Sequence, residues 1–396
     1  MPLKQLDIFN SQAGSFSRWE IKQIHQILNQ NPQTLEERVI TTNDPEYLEF
    51  VLYKNRDYRP DILGIGGGDG TKTVTLTAVK KIWGYLPPYL AFFASGTNNN
   101  CAYTFQLSDG LTDKIKKILP SPIKIIAQPQ TKPIQLAQYI QKTLQEGGEL
   151  KTEPLDLLDV NGKKGFNVGF AAVPKLLWTY YGKTIDQYKK LEKALQKTDP
   201  AYYQKELEMI WHEQNPLSSF IEIISNGNEN LLKRTGALYT LGTTLLSILS
   251  SFNPLNKRRK NFYQEPFEGE IFLDGEKVPL KNLTAIYIST YEQVNLGIKL
   301  KPFTFYPTPE ARTEPGKMQV VLCSSTILDI VKQISRLWSG KHLQNLHYAL
   351  VKEVKLTSPH PIIGHIDADF EIADQFTIKY DQTIKVISPF STAHRN

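Results

Sequence analysis

The sequence predicts an α/β fold followed by a mainly antiparallel β region, and three observations predict it. Strands alternate with helices over the first 130 or so residues; the third strand breaks into glycines directly before a helix; and after about residue 150 the apolar period shortens from helical to strand spacing. Residues 1–130 therefore read as a doubly wound parallel sheet. Residues 131–396 read as a β-sandwich domain with a helical insertion at about 183–260.

The elements follow in order. Leu6 to Phe9 is a short apolar strand, and Asn10 to Gly14 is a loop. A helix then runs to Leu28, with Ser17 and Glu20 spaced as a capping box and Ile21, Ile24, Ile27 and Leu28 as its buried stripe. Arg38 to Ile40 is the second strand, and Pro45 leads a helix carrying Leu48, Val51 and Leu52. Ile62 to Ile65 enters the glycine loop, whose helix shows Val74, Ala78, Val79 and Ile82 on one face. Tyr89 to Phe93 is the fourth strand, feeding Ser95-Gly96-Thr97-Asn98-Asn99-Asn100 and a short helix from Cys101. An amphipathic helix covers Ile134 to Gly147.

Beyond it, Leu155 to Val160 and Gly165 to Val173 flank Asn161-Gly162, the signature of a hairpin with a type I′ turn. Further strands are expected at Gly269 to Leu273, Leu283 to Ile288, Met318 to Cys323, Val351 to Leu356, Ile362 to Ile366, Phe376 to Tyr380 and Ile384 to Ile387. Gly236 to Phe252 is uncharged and precedes Lys257-Arg258-Arg259-Lys260. Its 17 residues are marginal for spanning a bilayer, which leaves a buried helix or a surface that dips into anionic headgroups.

The loop Gly66-Gly67-Gly68-Asp69-Gly70-Thr71 is where chemistry first shows. Glycines permit positive φ and close backbone approach, and the N–H groups of the helix start suit an anion, most naturally phosphate. A P-loop would need Lys-Ser/Thr after the last glycine, and the dinucleotide fingerprint would need glycine where Asp69 stands, so both fail.

At 396 residues, 40% hydrophobic and 22% charged, the chain can bury cores for two domains. A net charge of +6 is modest for this size and is not the concentrated basic signature of a nucleic-acid binder; it suits a nucleotide or an anionic membrane. Two cysteines form no disulfide framework, and the start shows no apolar signal region, so a cytoplasmic location is expected. The seven histidines carry no zinc motif.

Gly67-Gly68-Asp69-Gly70-Thr71 resembles the Gly-Gly-Asp-Gly-Thr signature of the diacylglycerol kinase, sphingosine kinase and bacterial lipid kinase families, and more distantly NAD kinases and phosphofructokinases. Gly96, Thr97 and Asn99 match that family's Pro-Leu-Gly-Thr-Gly-Asn-Asp segment, and Asn10 with Gly14 its opening Asn-Pro-x-Ser-Gly loop. The resemblance implies an α/β nucleotide domain followed by a β-sandwich, and transfer of the γ-phosphate of ATP to a lipid hydroxyl at a membrane surface, with peripheral contact at the inner face. It implies nucleotide contacts from Asn10, Thr41 or Thr42, Gly66, Gly67, Gly68, Asp69, Gly70, Thr71, Gly96, Thr97 and Asn99. Mg²⁺ is expected at Asp69 and Glu314, while Asp69 as a helix cap is the plainer alternative.

The family's base is the acid of an Asp-Gly-Glu. Asp274-Gly275-Glu276 matches by letter but precedes the Ala311 to Gly316 segment that resembles the family's Ala-x-x-x-Asp-Gly, so its order is wrong and a hairpin turn explains it. Asp369 in Asp367-Ala368-Asp369 falls in the right order and is the expected base. Thr73-Val74, Asn100 and Pro315 replace family residues, among them acids. Two readings therefore stand: an ATP-dependent lipid kinase, or a catalytically weak nucleotide- or lipid-binding relative. Among enzymes, a soluble-substrate kinase of the NAD kinase type is the rival.

Overall fold

The computed structural model describes residues 3–10, 18–29, 39–42, 44–94, 104–105, 107, 131–175, 265–291, 294–295, 304–305, 316–325, 329, 332–333, 345–367 and 369–390. The chain forms two compact units, residues 1–155 with 383–396 and residues 156–382. Its fold class is α/β plus β.

In the first unit, β1 (Gln5–Phe9), β2 (Val39–Thr41), β3 (Ile62–Gly67) and β4 (Tyr89–Ala94) are parallel. Their order is β2-β1-β3-β4. Between them run α1 (Arg18–Leu28), α2 (Pro45–Lys54) and α3 (Asp69–Trp83), and α4 (Lys132–Glu146) follows. The pleat shows that the sheet is wound on both faces. Phe93 meets Phe9 at 5.2 Å and Phe9 meets His25 of α1 at 5.6 Å, whereas Phe92 lies under Lys72 of α3. Successive strand residues point to opposite faces, so α1 and α3 cover different sides.

The helices pair accordingly, α1 on α4 and α2 on α3. Gln141 Nε2 of α4 donates to Leu28 O at 2.8 Å, and Trp83 Nε1 of α3 donates to Leu52 O at 2.8 Å. The sequence boundary at 130 placed α4 in the second domain. Its apolar stripe of Ile134, Leu136, Ala137 and Ile140 is instead buried within the first unit. In α1, Ile24 and Leu28 are fully buried while Ile21 and Ile27 are partly so; Ser17 lies outside the described residues.

The second unit is antiparallel throughout. Its strands are β5 (Thr152–Val160), which enters from the first unit, β6 (Lys163–Gly165), β7 (Asn167–Ala171), β8 (Glu270–Leu273), β9 (Glu276–Lys277) and β10 (Ala285–Ser289). They continue with β11 (Val294–Asn295), β12 (Thr304–Phe305), β13 (Met318–Cys323), β14 (Leu346–Val351), β15 (Glu353–Ile366) and β16 (Asp369–Ile387). The main order is β14-β13-β10-β7-β15-β16, around a core that includes Val168, Phe170, Ile286, Ile288, Val320, Val354 and Phe376. Both expected tight turns form. Asn161 and Gly162 have φ of 51° and 88°, and Asp274 and Gly275 have 48° and 86°, the two consecutive positive values a type I′ turn requires.

Two expected pairs of strands are each one long strand. Ile362 to Ile366 continues the strand that begins at Glu353, through an irregularity between Thr357 and Ile362. Pro359 and Pro361 fall in that irregularity, where their missing N–H groups break no ladder. Before it β15 pairs with β8, and after it with β7. Phe376 to Tyr380 and Ile384 to Ile387 both belong to β16, whose last residues lie parallel to β4 and add a fifth strand to the first unit.

Candidate functional site

The parallel strand order, with β16 completing it, is the 2-1-3-4-5 order of doubly wound sheets, in which the chain reverses direction between the first and third strands. The crevice outside the carboxyl ends at that reversal is where such sheets hold ligands. β1 ends there at Phe9 and β3 at Gly67, so Asn10 and the glycine loop are brought together by topology. Asn10 N donates to Gly66 O at 2.8 Å, and Asn10 Nδ2 donates to Thr71 Oγ1 at 3.0 Å. With its oxygen accepting from Asn10, the Thr71 hydroxyl keeps its own proton for another acceptor.

The glycines serve close approach rather than handedness. None of Gly66, Gly67, Gly68 and Gly70 is among the positive-φ residues, which corrects the expectation of left-handed backbone here. The chain instead passes extended through Gly68, at φ −84° and ψ −173°, directly into α3. A Cβ on Gly66 would lie 2.1 Å from the Phe9 ring, and one on Gly67 would lie 2.4 Å from Thr71 Cβ. Side chains at these positions would push aside Phe9 or Thr71.

Helix α3 begins at Asp69, with Gly68 as N-cap and no side-chain cap hydrogen bond. Glycine offers the first-turn N–H groups no capping side chain, and these groups lie at the positive end of the helix dipole. Asp69 is not that cap. It is 2% exposed, and its Oδ1 lies 2.8 Å from Nζ of Lys72, which is 0% exposed. Lys72 also lies over the Phe92 ring, 5.6 Å from its centroid.

Thr41 stands on the same carboxyl edge, in register with Phe9. Its exposed hydroxyl is 3.2 Å from His25 Nε2, and burial lowers the His25 pKa. Thr42 turns inward to α2, its Oγ1 accepting from Asp44 N at 3.0 Å, which leaves Thr41 as the threonine presented outward. Gly96, Thr97 and Asn99 lie outside the described residues, as does Glu314. The strand leading to the first three ends at Ala94, paired with Gly67.

In the second unit Asp369 opens β16 opposite Ile366, partly buried. Its neighbour Asp367 was not singled out in the sequence, yet it anchors this turn. Asp367 is 7% exposed with φ of 55°, and its carboxylate accepts from Phe166 N, Asn167 N and Asn167 Nδ2, the last at 2.7 Å. Asp is one of the few non-glycine residues that tolerates this left-handed conformation, which was the available signal. Asp274 does similar structural work, its Oδ1 accepting from Lys352 N and Glu353 N at 2.9 Å. His365 is buried beside Gly169, whose carbonyl it meets through Nδ1 at 3.3 Å, and desolvation brings its pKa down to about 4.

Among the described residues no three His, Cys, Asp or Glu side chains cluster, and the Asp69 carboxylate is already against an ammonium in the interior. Glu314, the other expected Mg²⁺ ligand, lies outside the described residues, and no step is assigned to a metal.

Residues 5–139 match the family model for the diacylglycerol kinase catalytic domain. No curated protein matches the chain. Among solved structures, a protein of Bacillus anthracis str. Sterne, provisionally named a diacylglycerol kinase, superposes with a TM-score of 0.57 at 13% identity, covering 99% of this chain and 100% of its own. A diacylglycerol kinase from the same organism gives 0.51 at 13% identity, covering 98% of each chain. A third, again provisionally so named and from that organism, gives 0.57 at 12% identity with 98% of each covered. At these identities the likeness is one of fold.

Proposed function

From the match of residues 5–139 to the diacylglycerol kinase catalytic domain, we propose that the chain is an ATP-dependent lipid kinase. The observation that carries the reading is the junction of Asn10, Gly66 and Thr71 at the reversal point of the sheet, beside an α3 start whose N-cap is a glycine. Phosphoryl transfer needs little covalent help from a protein; it needs the phosphates held and the acceptor placed in line.

In this reading the N–H groups of Gly67, Gly68 and Gly70 and the Thr71 hydroxyl donate to the nucleotide's phosphate oxygens, and Asn10 sets the Thr71 rotamer. Thr41, Gly96, Thr97 and Asn99 complete the nucleotide contacts. Asp369 takes the proton of the acceptor hydroxyl as its oxygen bonds to the γ-phosphorus and the bond to ADP breaks. Asp367 holds the Asp369 turn in place. Magnesium enters only as a companion of the nucleotide, with no ligand assigned. The acceptor is a diacylglycerol-like or sphingoid lipid met at a membrane surface. The contact proposed is peripheral, from the cytoplasmic side; no described helix is long and apolar enough to cross a membrane.

One observation favours a second reading, a nucleotide- or lipid-binding relative with little turnover: the hold of Lys72 on Asp69 leaves the loop without an acid turned to the ligand. A radiolabelled phosphate-transfer screen over diacylglycerol, ceramide, sphingosine and phosphatidylglycerol in vesicles separates the two. The kinase reading expects a labelled lipid. ATP binding with no labelled lipid supports the weaker relative, and transfer to soluble acceptors alone contradicts both.

A further inference from the structure

We propose that Thr41 and His25 form the sugar-side subsite of the nucleotide crevice, with Thr41 meeting a ribose hydroxyl and His25 as the residue that positions it. The inference rests on the reading of the Gly66–Thr71 loop as the phosphate site, and it brings a residue of α1 into the machinery.

Register places the subsite. Thr41 of β2 lies opposite Phe9 of β1, and Phe9 lies opposite Gly66 of β3, so the three stand in one row on one face of the sheet at its carboxyl edge. Two strand spacings separate Thr41 from Gly66, about 10 Å. A triphosphate held at the glycine loop can therefore lay its ribose over the end of β2, where doubly wound dinucleotide domains read that sugar with an acid. The first acid after β2 here is Asp44, and it is used otherwise: its Oδ1 accepts from Glu46 N at 2.9 Å in capping α2. What the edge presents instead is the exposed hydroxyl of Thr41.

His25 stands behind that hydroxyl. Helical side chains tilt toward the helix N-terminus, and α1, returning from β1, has its N-terminus at the carboxyl edge. The half-buried ring of His25 meets Phe9 edge-on, with centroids 5.6 Å apart, and Phe9 fills the space that a Cβ on Gly66 would claim, 2.1 Å away. Nε2 of His25 lies 3.2 Å from Thr41 Oγ1. Glycine loop, Phe9, His25 and Thr41 are thus packed in series. The neutral ring bonds to Thr41 in either tautomer, as donor or as acceptor. A phosphate oxygen only accepts, so it suits one of these arrangements; a ribose hydroxyl donates and accepts, so it suits both. His25 acts through Thr41 and touches no nucleotide itself.

The test is a double-mutant cycle read by calorimetric titration of the whole chain with ATP and with tripolyphosphate, which has no sugar. His25→Phe keeps a ring against Phe9 and removes the nitrogens, and Thr41→Val removes the hydroxyl at nearly constant shape. Each should weaken ATP by about three- to tenfold and leave tripolyphosphate within about twofold. The double variant should match Thr41→Val within about twofold, because His25 works only through that hydroxyl. His25→Gln, whose amide can restore the hydrogen bond, should return ATP binding to within about threefold of wild type. If His25→Phe does not fold, 2′-deoxy-ATP and 3′-deoxy-ATP carry the test: one of them should bind wild type as weakly as ATP binds Thr41→Val, and lose nothing further in that variant. Equal losses toward ATP and tripolyphosphate, additive losses in the double variant, or full affinity for both deoxynucleotides overturns the inference. Folded wild type that binds neither ATP nor tripolyphosphate sinks the nucleotide reading with it. ATP binding that fails in Gly67→Val but is untouched by His25→Phe and Thr41→Val sinks this inference alone.

Discussion

Helices α2 and α3 start on the same edge of the same parallel sheet, yet they start in opposite ways. At α2 the N-cap is Asp44, whose side chain accepts from Glu46 N, and Pro45 follows where no N–H is needed. The helix satisfies its own orphan donors and presents nothing to a ligand. At α3 the N-cap is Gly68, which has no side chain to cap with, and the acid in that turn lies against Lys72 in the interior. The ordinary way of finishing a helix is present one connection away and is absent at the loop. The difference teaches that the start of α3 is built to be completed from outside.

The comparison breaks most severely if the open end can be closed without loss. Gly67→Val places a Cβ 2.4 Å from Thr71 Cβ, so Thr71 must move, and ATP binding and transfer should both disappear while circular dichroism still shows the fold. Gly68→Asp converts the α3 start into a copy of the α2 start. ATP affinity should fall by about a hundredfold or more through repulsion and occupied N–H groups, with stability changed by only a few tenths of a kcal/mol in denaturant melts.

Asp369→Asn separates holding from chemistry. Phosphate transfer should drop by about 10²–10⁴, with the Kd for ATP unchanged within about twofold, as single-turnover kinetics beside equilibrium titration would read.

A smaller effect concerns the second unit and should leave the α3 start untouched. The His365 pKa is lowered from 6.5 to about 4, chiefly by burial, the hydrogen bond with the Gly169 carbonyl opposing the shift. The unfolded chain therefore binds the proton first. The stability held by neutral His365 is full above about pH 6.5 and is lost as pH falls toward about 4, by on the order of 3 kcal/mol. Urea melts between those pH values should show a steeper loss for wild type than for His365→Gln.

The smallest change sharpens the contrast from the closed side. Asp44→Ala should cost about 1 kcal/mol of stability and leave ATP affinity as it was.

Much of this was legible in the sequence for a physical reason. Runs such as Ile62 to Gly70 and Leu155 to Gly165 carry their geometry in local residues: an apolar strand, then glycines or Asn-Gly where side chains or ordinary φ values are not allowed. Elements set by distant partners were harder to read. β14 has the pattern Leu346-His347-Tyr348-Ala349 and is mostly partly buried, so its periodicity is weak, and it forms because β13 offers an edge. The continuity of β16 past Asp381 and its return to β4 follow from pairing with residues far away in the chain. Lys72 was passed over because lysine is ordinarily solvated; its spacing from Asp69 was visible, but its burial depends on packing against Phe92, which no local pattern reports.

Hydrogen exchange of the backbone amides during ATP titration tests the central claim most directly. The account predicts new protection at Gly67 to Thr71 and at Asn10, with no change at Glu46 in the closed start of α2. Protection confined to other segments, or equal protection at both helix starts, would contradict it.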